Sequence, residues 1–409
     1  MTEPTVALRE YLRNLGADLD KDFLRESVRM MSQMLMELEV TQKAGAQKHA
    51  RTPERVHQRN GYRERLWETR VGEIALQIPK LRSGSYFPSL LEPRRRAEKA
   101  LLSVVQQAYV EGVSTRKVDA LLQSLGLTGI DKSAVSRICK GLDEVVERFR
   151  QRSLEGRYPY LWLDALYLKV RQNQHIVNQA VVIAIGVRED GEREVLGFAI
   201  GASETEPFWQ EFLRSLTRRG LNGVRLVISD AHEGLKAAIA HVLSGAAWQR
   251  CRVHFMRNLL AHVPRHDQSL FAALLRTIFA QPDRPAAQRQ LAAVAQSIGK
   301  SWPQAAHLLE EAEEDVLAYM AFPREHWTRI YSTNPLERLN KEIKRRTNVV
   351  GVFPDEPAVV RLVGALLMEQ SDEWQIERHY FSQESMRKLY QPEPALISGP
   401  APLLLAPVH

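Results

Sequence analysis

Three acidic side chains carry the chemistry this sequence offers: Asp164, Asp230 and Glu337. Asp164 stands in an alternating segment whose two faces are Tyr160, Trp162, Asp164, Leu166, Leu168 and Leu161, Leu163, Ala165, Tyr167. Both faces are apolar apart from that one carboxylate. Aspartate is disfavoured in strands and an unpaired buried charge is costly, so a cation must compensate it. The candidates are an ion pair with Lys169 or Arg171, or a metal ion. Asp230 ends the apolar run Leu226-Val227-Ile228-Ser229, at the carboxyl edge where open α/β sheets place their ligands; Asp230-x-x-Glu233 also has the spacing of a capping box. Glu337 is the third residue of a helix with Asn334 as N-cap and Pro335 in its first position, which is again a capping-box place. As a set, three hard oxygen ligands with no Cys/His cluster suit Mg²⁺ or Mn²⁺. Two such ions about 4 Å apart activate an attacking hydroxyl and stabilise the leaving oxygen in phosphodiester displacement.

Cys251-x-x-His254 invites a zinc reading, but a tetrahedral site needs four ligands and only His262 and His266 are at hand to complete it. A hydrogen-bonded pair that buttresses the acidic site, or His254 touching substrate, is the better expectation. Trp302 and Trp327 are candidates for stacking on a frayed base or for packing among helices.

A sheet must position these groups. Residues 160–170, 176–187 and 194–201 read as a three-strand meander, followed by a helix over 207–218, a strand over 224–229, a helix over 231–243 and a strand over 247–252. A right-handed crossover after the meander makes the later strands parallel to the first. That is the order of a ribonuclease-H-like sheet, and the fold class expected is α/β, mixed and multidomain. Residues 254–326, punctuated by Pro264, Pro282, Pro285 and Pro303, read as an all-helical insertion in a catalytic domain of 156–380. Ahead of it, a helix over 22–41 carries Leu24, Val28, Met31, Leu35 and Leu38 on one side, as a self-association surface or as local core. A hairpin over 66–81 turns at Val71-Gly72 and should end at Pro79. Helices over 97–111, 115–125 and 132–148 form a trihelical unit, mainly helical surroundings for a helix-turn-helix-like reader whose third helix opens with Lys132, Ser133, Ser136 and Arg137; a plain bundle has the same pattern. The expected segments are thus 1–50, 51–96, 97–150 and 156–380, with a proline-rich tail at 391–409.

The charge is concentrated. Of the net +7 in 409 residues, +6 lies in residues 51–100, where Arg59, Arg63, Arg70, Lys80, Arg82, Arg94, Arg95 and Arg96 make the electrostatic footprint of a polyanion binder or a basic linker. A second cluster, Arg338, Lys341, Lys344 and Arg345, shares the helix of Glu337 and suits phosphate contacts that do not read sequence. With 44% hydrophobic and 26% charged residues, the composition excludes collagenous, disordered and membrane-spanning classes. Two distant cysteines imply no disulfide framework. The absence of a long apolar run or a signal-like start leads to the expectation of a cytoplasmic, nucleoid-associated protein with no membrane partner and no small-molecule cofactor.

Several motifs then stand in order: Arg-Asn-Gly-Tyr-Arg at 59–63, Thr69-Arg-Val-Gly, Ile78-Pro-Lys-Leu-Arg, Glu92-Pro-Arg-Arg-Arg, Gly112-Val-Ser-Thr-Arg, Leu163-Asp-Ala, Ser229-Asp-Ala-His-Glu-Gly-Leu, Cys251-Arg-Val-His-Phe-Met-Arg-Asn and Thr333-Asn-Pro-Leu-Glu-Arg-Leu-Asn-Lys-Glu. From about residue 50 to 380 the chain resembles the bacterial Mutator-type insertion-sequence transposases. The resemblance implies a DDE transposase with Asp164, Asp230 and Glu337 as its metal-binding triad and two Mg²⁺ (or Mn²⁺) ions per site. It further implies an amino-terminal part that binds the element's terminal inverted repeats. The expected partners are double-stranded DNA, as terminal repeats and target, and, because two DNA ends must be paired, a second copy of the chain in a homodimer or larger assembly. Cys251 and His254 match the family's Cys/Asp-x-x-His motif. The rival readings are a non-catalytic or domesticated DNA-binding regulator and a ribonuclease-H-like nuclease.

Overall fold

In the computed structural model, described for residues 21–390 apart from 49, 51, 54, 70, 92–98, 114, 125–131 and 378, the chain divides into two units. One is residues 1–145 with 345–350, the other 146–344 with 351–409.

In the first unit, helix α1 (Lys21–Ala44) packs on a hairpin of β1 (Arg59–Thr69) and β2 (Gly72–Leu81). Their shared core is Met36, Val40, Trp67, Ile74, Leu76 and Ile78. The stripe expected to be the apolar face of α1 is largely on the outside: Leu24, Met31, Leu35 and Leu38 are exposed, while Val28 is partly covered. The hairpin starts earlier than its alternation suggested and does not stop at Pro79, which pairs with Tyr62 where the register shifts. Proline has no N–H to give, but each strand of a two-stranded ribbon is an edge and tolerates it. Helices α2 (Lys99–Val110), α3 (Thr115–Ser124) and α4 (Lys132–Cys139) close on Leu101, Leu102, Val105, Val118, Leu122, Val135 and Cys139. The third helix expected there is interrupted by a 3-10 turn at Lys140–Leu142 before α5 (Asp143–Gln151). Gly141 lies in that turn, and glycine weakens a helix interior by roughly 1 kcal/mol.

The second unit is built on five strands in the order β5-β4-β3-β6-β7: β3 (Tyr160–Gln172), β4 (His175–Val187), β5 (Arg193–Gly201), β6 (Leu226–Ser229) and β7 (Ala247–Arg250). The first three form an antiparallel meander, and β6 and β7 add in parallel. The fold is therefore mixed α/β, with the anticipated succession of strands and helices and the later strands parallel to the first. Helices α6 (Glu206–Arg218) and α7 (Glu233–Val242) bury Trp209, Phe212, Leu213, Leu216, Leu235 and Ile239 against Leu161, Leu163 and Val227. Each fully buried side chain of this kind contributes about 1.5–3 kcal/mol. The stretch after β7 is helical: α8 (Arg252–Leu260), α9 (Gln268–Phe279), α10 (Arg284–Ile298), α11 (Pro303–Glu311), α12 (Glu313–Leu317) and α13 (Trp327–Ile330). Then come α14 (Asn334–Val350), α15 (Glu356–Ile376) and α16 (Gln383–Lys388). Among the described residues no helix is long and apolar enough to cross a membrane.

Candidate active site

Strand register brings the two aspartates together. β3 and β6 run parallel with Tyr160 opposite Leu226 and Trp162 opposite Ile228, so two residues further along Asp164 and Asp230 come level. β7 ends beside them, Ser229 being opposite Arg250. The Cys251 N–H continues the ladder to the Ser229 carbonyl at 2.8 Å, and Cys251 then caps the start of α8, which carries His254 one turn on. The N-terminus of α14 is tied to the same place, because the Thr333 N–H and hydroxyl donate to Cys251 Sγ at 3.4 and 3.3 Å.

His254 lies between two of the acids. Its Nδ1 is 3.7 Å from Asp230 Oδ2, and its Nε2 is 3.3 Å from Glu337 Oε1. The neighbouring Cys251, followed by these carboxylates, raises the imidazole to about 9 against the pull of burial. Burial pushes the Cys251 thiol up, but His254 and Thr333 outweigh it and leave the thiol below its usual value. Asp164 is raised to about 6, first by burial and also by Asp230, with the Ala165 N–H and His254 acting in the other direction. Its carboxylate accepts from Ala165 N at 2.9 Å and from Asn340 Nδ2 at 2.8 Å.

That partner is a correction to the sequence reading. Among the described residues Lys169 and Arg171 make no ion pair with Asp164. Strand alternation turns both to the exposed side. The capping boxes also resolve differently. His232, not Asp230, caps α7, its ring accepting from Leu235 N, and Asp230 accepts from Ala231 N at 2.8 Å. Helix α14 already includes Asn334, which frees Glu337 to face His254. Asn340 went unnoticed in the sequence; its signal is the spacing of three from Glu337, which places both on one helical face.

The donor chemistry fits a hard divalent cation, since three carboxylates are accompanied by a buried Asn340 Oδ1 that has no hydrogen-bond partner. Among the described residues no three such side chains already surround one point as metal ligands. A tetrahedral zinc set does not form around Cys251 either, because His262 and His266 are exposed and lie against Gln304 and Asp267. Trp302 packs edge-on to Phe271 and Trp327 to Tyr319, at 5.4 and 5.5 Å, so both serve the helical block.

The expected DNA contacts divide into groups. Arg63, Lys80, Arg82, Ser133, Ser136, Arg137, Arg338, Lys341, Lys344 and Arg345 are exposed. Arg59 is instead paired with Glu37 and donates to Thr41 Oγ1 at 2.7 Å. Beside it an open groove of about 940 Å³ is lined by Lys48, Arg55, Gln58, Arg59, Tyr62 and Pro79 among others. Lys132 opens α4. Arg70, Arg94, Arg95 and Arg96 lie outside the described residues.

Comparison with known proteins decides the family. The description "Transposase, Mutator family" matches residues 1–377. The chain belongs to the Mutator family of transposases. It is 46% identical over 374 residues to the transposase for insertion sequence element IS1081 of Mycobacterium tuberculosis, covering 91% of this chain and 90% of that one. It is 42% identical to the ISRM5 transposase of Rhizobium meliloti, over 90% of this chain and 92% of the other. Against the transposase for IS256 in transposon Tn4001 of Staphylococcus aureus the identity is 39%, over 83% and 88%. Family membership thus agrees with the resemblance read from the ordered motifs.

Proposed function

We propose that this protein is the transposase of an insertion sequence, which cuts DNA at the element's ends and joins the freed ends to a target. The observation that carries the reading is the level placement of Asp164, within β3, and Asp230, just past the end of the parallel β6, with Glu337 linked to Asp230 through His254. The sheet order supports a ribonuclease-H-like core interrupted by a helical insertion between Asp230 and Glu337.

Both reactions are displacements at phosphorus. In the first, a water oxygen bonds to phosphorus as the bond to the 3′ oxygen breaks, leaving a 3′-hydroxyl and a 5′-phosphate. In the second, that 3′ oxygen loses its proton and attacks a target phosphodiester, so one bond forms as one breaks. Asp164, Asp230 and Glu337 would hold Mg²⁺ or Mn²⁺, two ions per site, which when bound supply Lewis-acid stabilisation of the attacking and leaving oxygens. Asn340 fixes the rotamer of Asp164, and the Thr333–Cys251 link fixes the start of the helix that bears Glu337. His254, whose imidazole Cys251 and the flanking carboxylates push towards the protonated form, stands between carboxylates that would otherwise repel. Exposed cations on α14 and on the hairpin suit the phosphates of terminal repeats and target, and the Ser133, Ser136, Arg137 surface of α4 suits a groove. Two DNA ends call for at least two protomers. The exposed Leu24, Met31, Leu35 and Leu38 follow coiled-coil spacing, which supports pairing through α1.

The test is cleavage of a labelled duplex carrying the element's own end, with Mg²⁺ or EDTA, for wild type and for Asp164→Asn, Asp230→Asn and Glu337→Gln. Metal-dependent nicking by wild type, with variants that bind and do not cut, upholds the reading. Variants that cut like wild type overturn the triad; specific binding with no cutting by any form favours a regulator.

A further inference from the structure

Two guanidinium groups of the second unit share one aromatic ring. Arg193, opening β5, lies 3.7 Å from the centroid of Trp374 and 4.6 Å from that of Tyr380. Arg329 on α13 lies 5.1 Å from Tyr380 and 5.2 Å from Phe381, and donates to the Tyr380 carbonyl. Each cation–π contact is worth roughly 0.5–2 kcal/mol, but two like charges on one ring repel. Among the described residues neither arginine has a carboxylate at ion-pair distance, and the buried Nε of Arg193 has no hydrogen-bond partner. Burial, then the charges of Arg338 and Arg329, push Arg193 below the usual arginine range against the pull of Tyr380 and Glu377. Tyr380 feels the same three arginines. Positive charge has been gathered here with Glu377 nearby but, among the described residues, no carboxylate in an ion pair with Arg193 or Arg329.

The backbone holds this cluster in place. Gly191 in the β4–β5 turn has φ +91°, and a Cβ there would meet the Phe381 carbonyl oxygen at 2.0 Å. Its absence lets the Phe381 N–H reach the Gly191 carbonyl at 3.1 Å, which sets Tyr380 over Arg193. The cluster lies on the same side of the sheet end as the start of β3, Arg193 being level through Val187 with Tyr160, four residues before Asp164. Tyr380 stands edge-on to Trp162 at 6.0 Å, and Trp162 shares a β3 face with Asp164, about 7 Å along the strand. Arg338 directly follows Glu337.

We propose that Arg193 and Arg329 form a phosphate subsite around Tyr380 that grips the DNA backbone a few nucleotides from the phosphodiester being cut. The inference rests on the transposase reading and adds to it a grip distinct from the metal ligands.

Fluorescence anisotropy of the full chain on an element-end duplex, titrated with salt, tests it with Arg193→Gln, Arg329→Gln and the control Arg218→Gln, an exposed cation on α6 paired with Glu211. Each cluster variant should weaken binding about 5- to 30-fold at low salt and lower the log–log salt slope by about one, with the control slope unchanged. A single methylphosphonate near the cut should weaken wild type but not Arg329→Gln. An unchanged slope in Arg329→Gln, at an exposed position, overturns the subsite even if Arg193→Gln misfolds. A wild type that binds and cuts alongside unchanged slopes leaves the transposase reading intact. A wild type that binds with the expected slopes and never cuts overturns that reading and keeps the subsite, and one that does not bind overturns both.

Discussion

The hairpin of the first unit and the sheet end of the second treat charge in opposite ways. Around the hairpin, Glu37 takes Arg59 and the Tyr62 hydroxyl, Lys48 stands 3.1 Å from that same hydroxyl, and Arg29 pairs with Glu26. These charges meet partners from their own chain, while Arg63 and Lys80 on the same hairpin stay exposed. At the sheet end, Asp164, Asp230 and Glu337 approach one another with only an imidazole and an amide between them. The arginines about Tyr380 repeat the pattern with the opposite sign. Groups paired internally hold the fold, whereas like charges gathered without internal neutralisation are arranged for something outside the chain.

Substitutions can break that contrast, and the largest effect belongs to the acids. Asp164→Asn, Asp230→Asn or Glu337→Gln should reduce strand cleavage at least about 10³-fold, some 4 kcal/mol of transition-state stabilisation, with duplex affinity within a few-fold of wild type by anisotropy. Asn340→Ala should lower cleavage by about 10- to 100-fold, the range expected of a residue that orients a ligand. It should also weaken Mn²⁺ binding measured by electron paramagnetic resonance, and an unchanged Mn²⁺ affinity would remove its orienting role. On the hairpin, Arg59→Ala should cost about 1–3 kcal/mol in denaturant unfolding, because Glu37 is left half-buried without its cation. Arg63→Ala should leave stability within about 0.5 kcal/mol and lower only the salt slope of DNA binding. Equal stability losses for the two arginines would erase the distinction.

A buried histidine adds a pH dependence. His326 is fully buried, with Nδ1 2.6 Å from the Tyr160 hydroxyl, and burial holds it down at about 4. The unfolded chain, with an ordinary value near 6.5, therefore binds a proton that the folded protein refuses. Stability should be complete above about pH 6.5, fall as the pH drops towards 4, and level off below. Chemical denaturation of wild type and His326→Gln across that range checks it, since the variant should lose this component of the slope.

Much of this was legible in the sequence because it depends on local periodicity. The apolar alternation around Asp164, the β-β-β-α-β-α-β order and the basic helix of Glu337 are properties of short stretches, and so is the ordered set of motifs that signals the family. Proline and glycine effects were less legible. Pro79 ends nothing because its strand is an edge, and Gly141 divides a helix that its neighbours would continue.

Long-range pairings were decided by the tertiary structure alone. The parallel register that levels Asp164 with Asp230, the placing of His254 between Asp230 and Glu337, the partner Asn340 in place of Lys169, and the two arginines on Tyr380 each join residues far apart in the chain. No periodicity encodes such pairs, because each depends on how separate elements pack. The sequence by itself determined which residues had chemistry to offer and which strands would carry them. Packing decided which charges are neutralised from within the chain and which are left for a ligand.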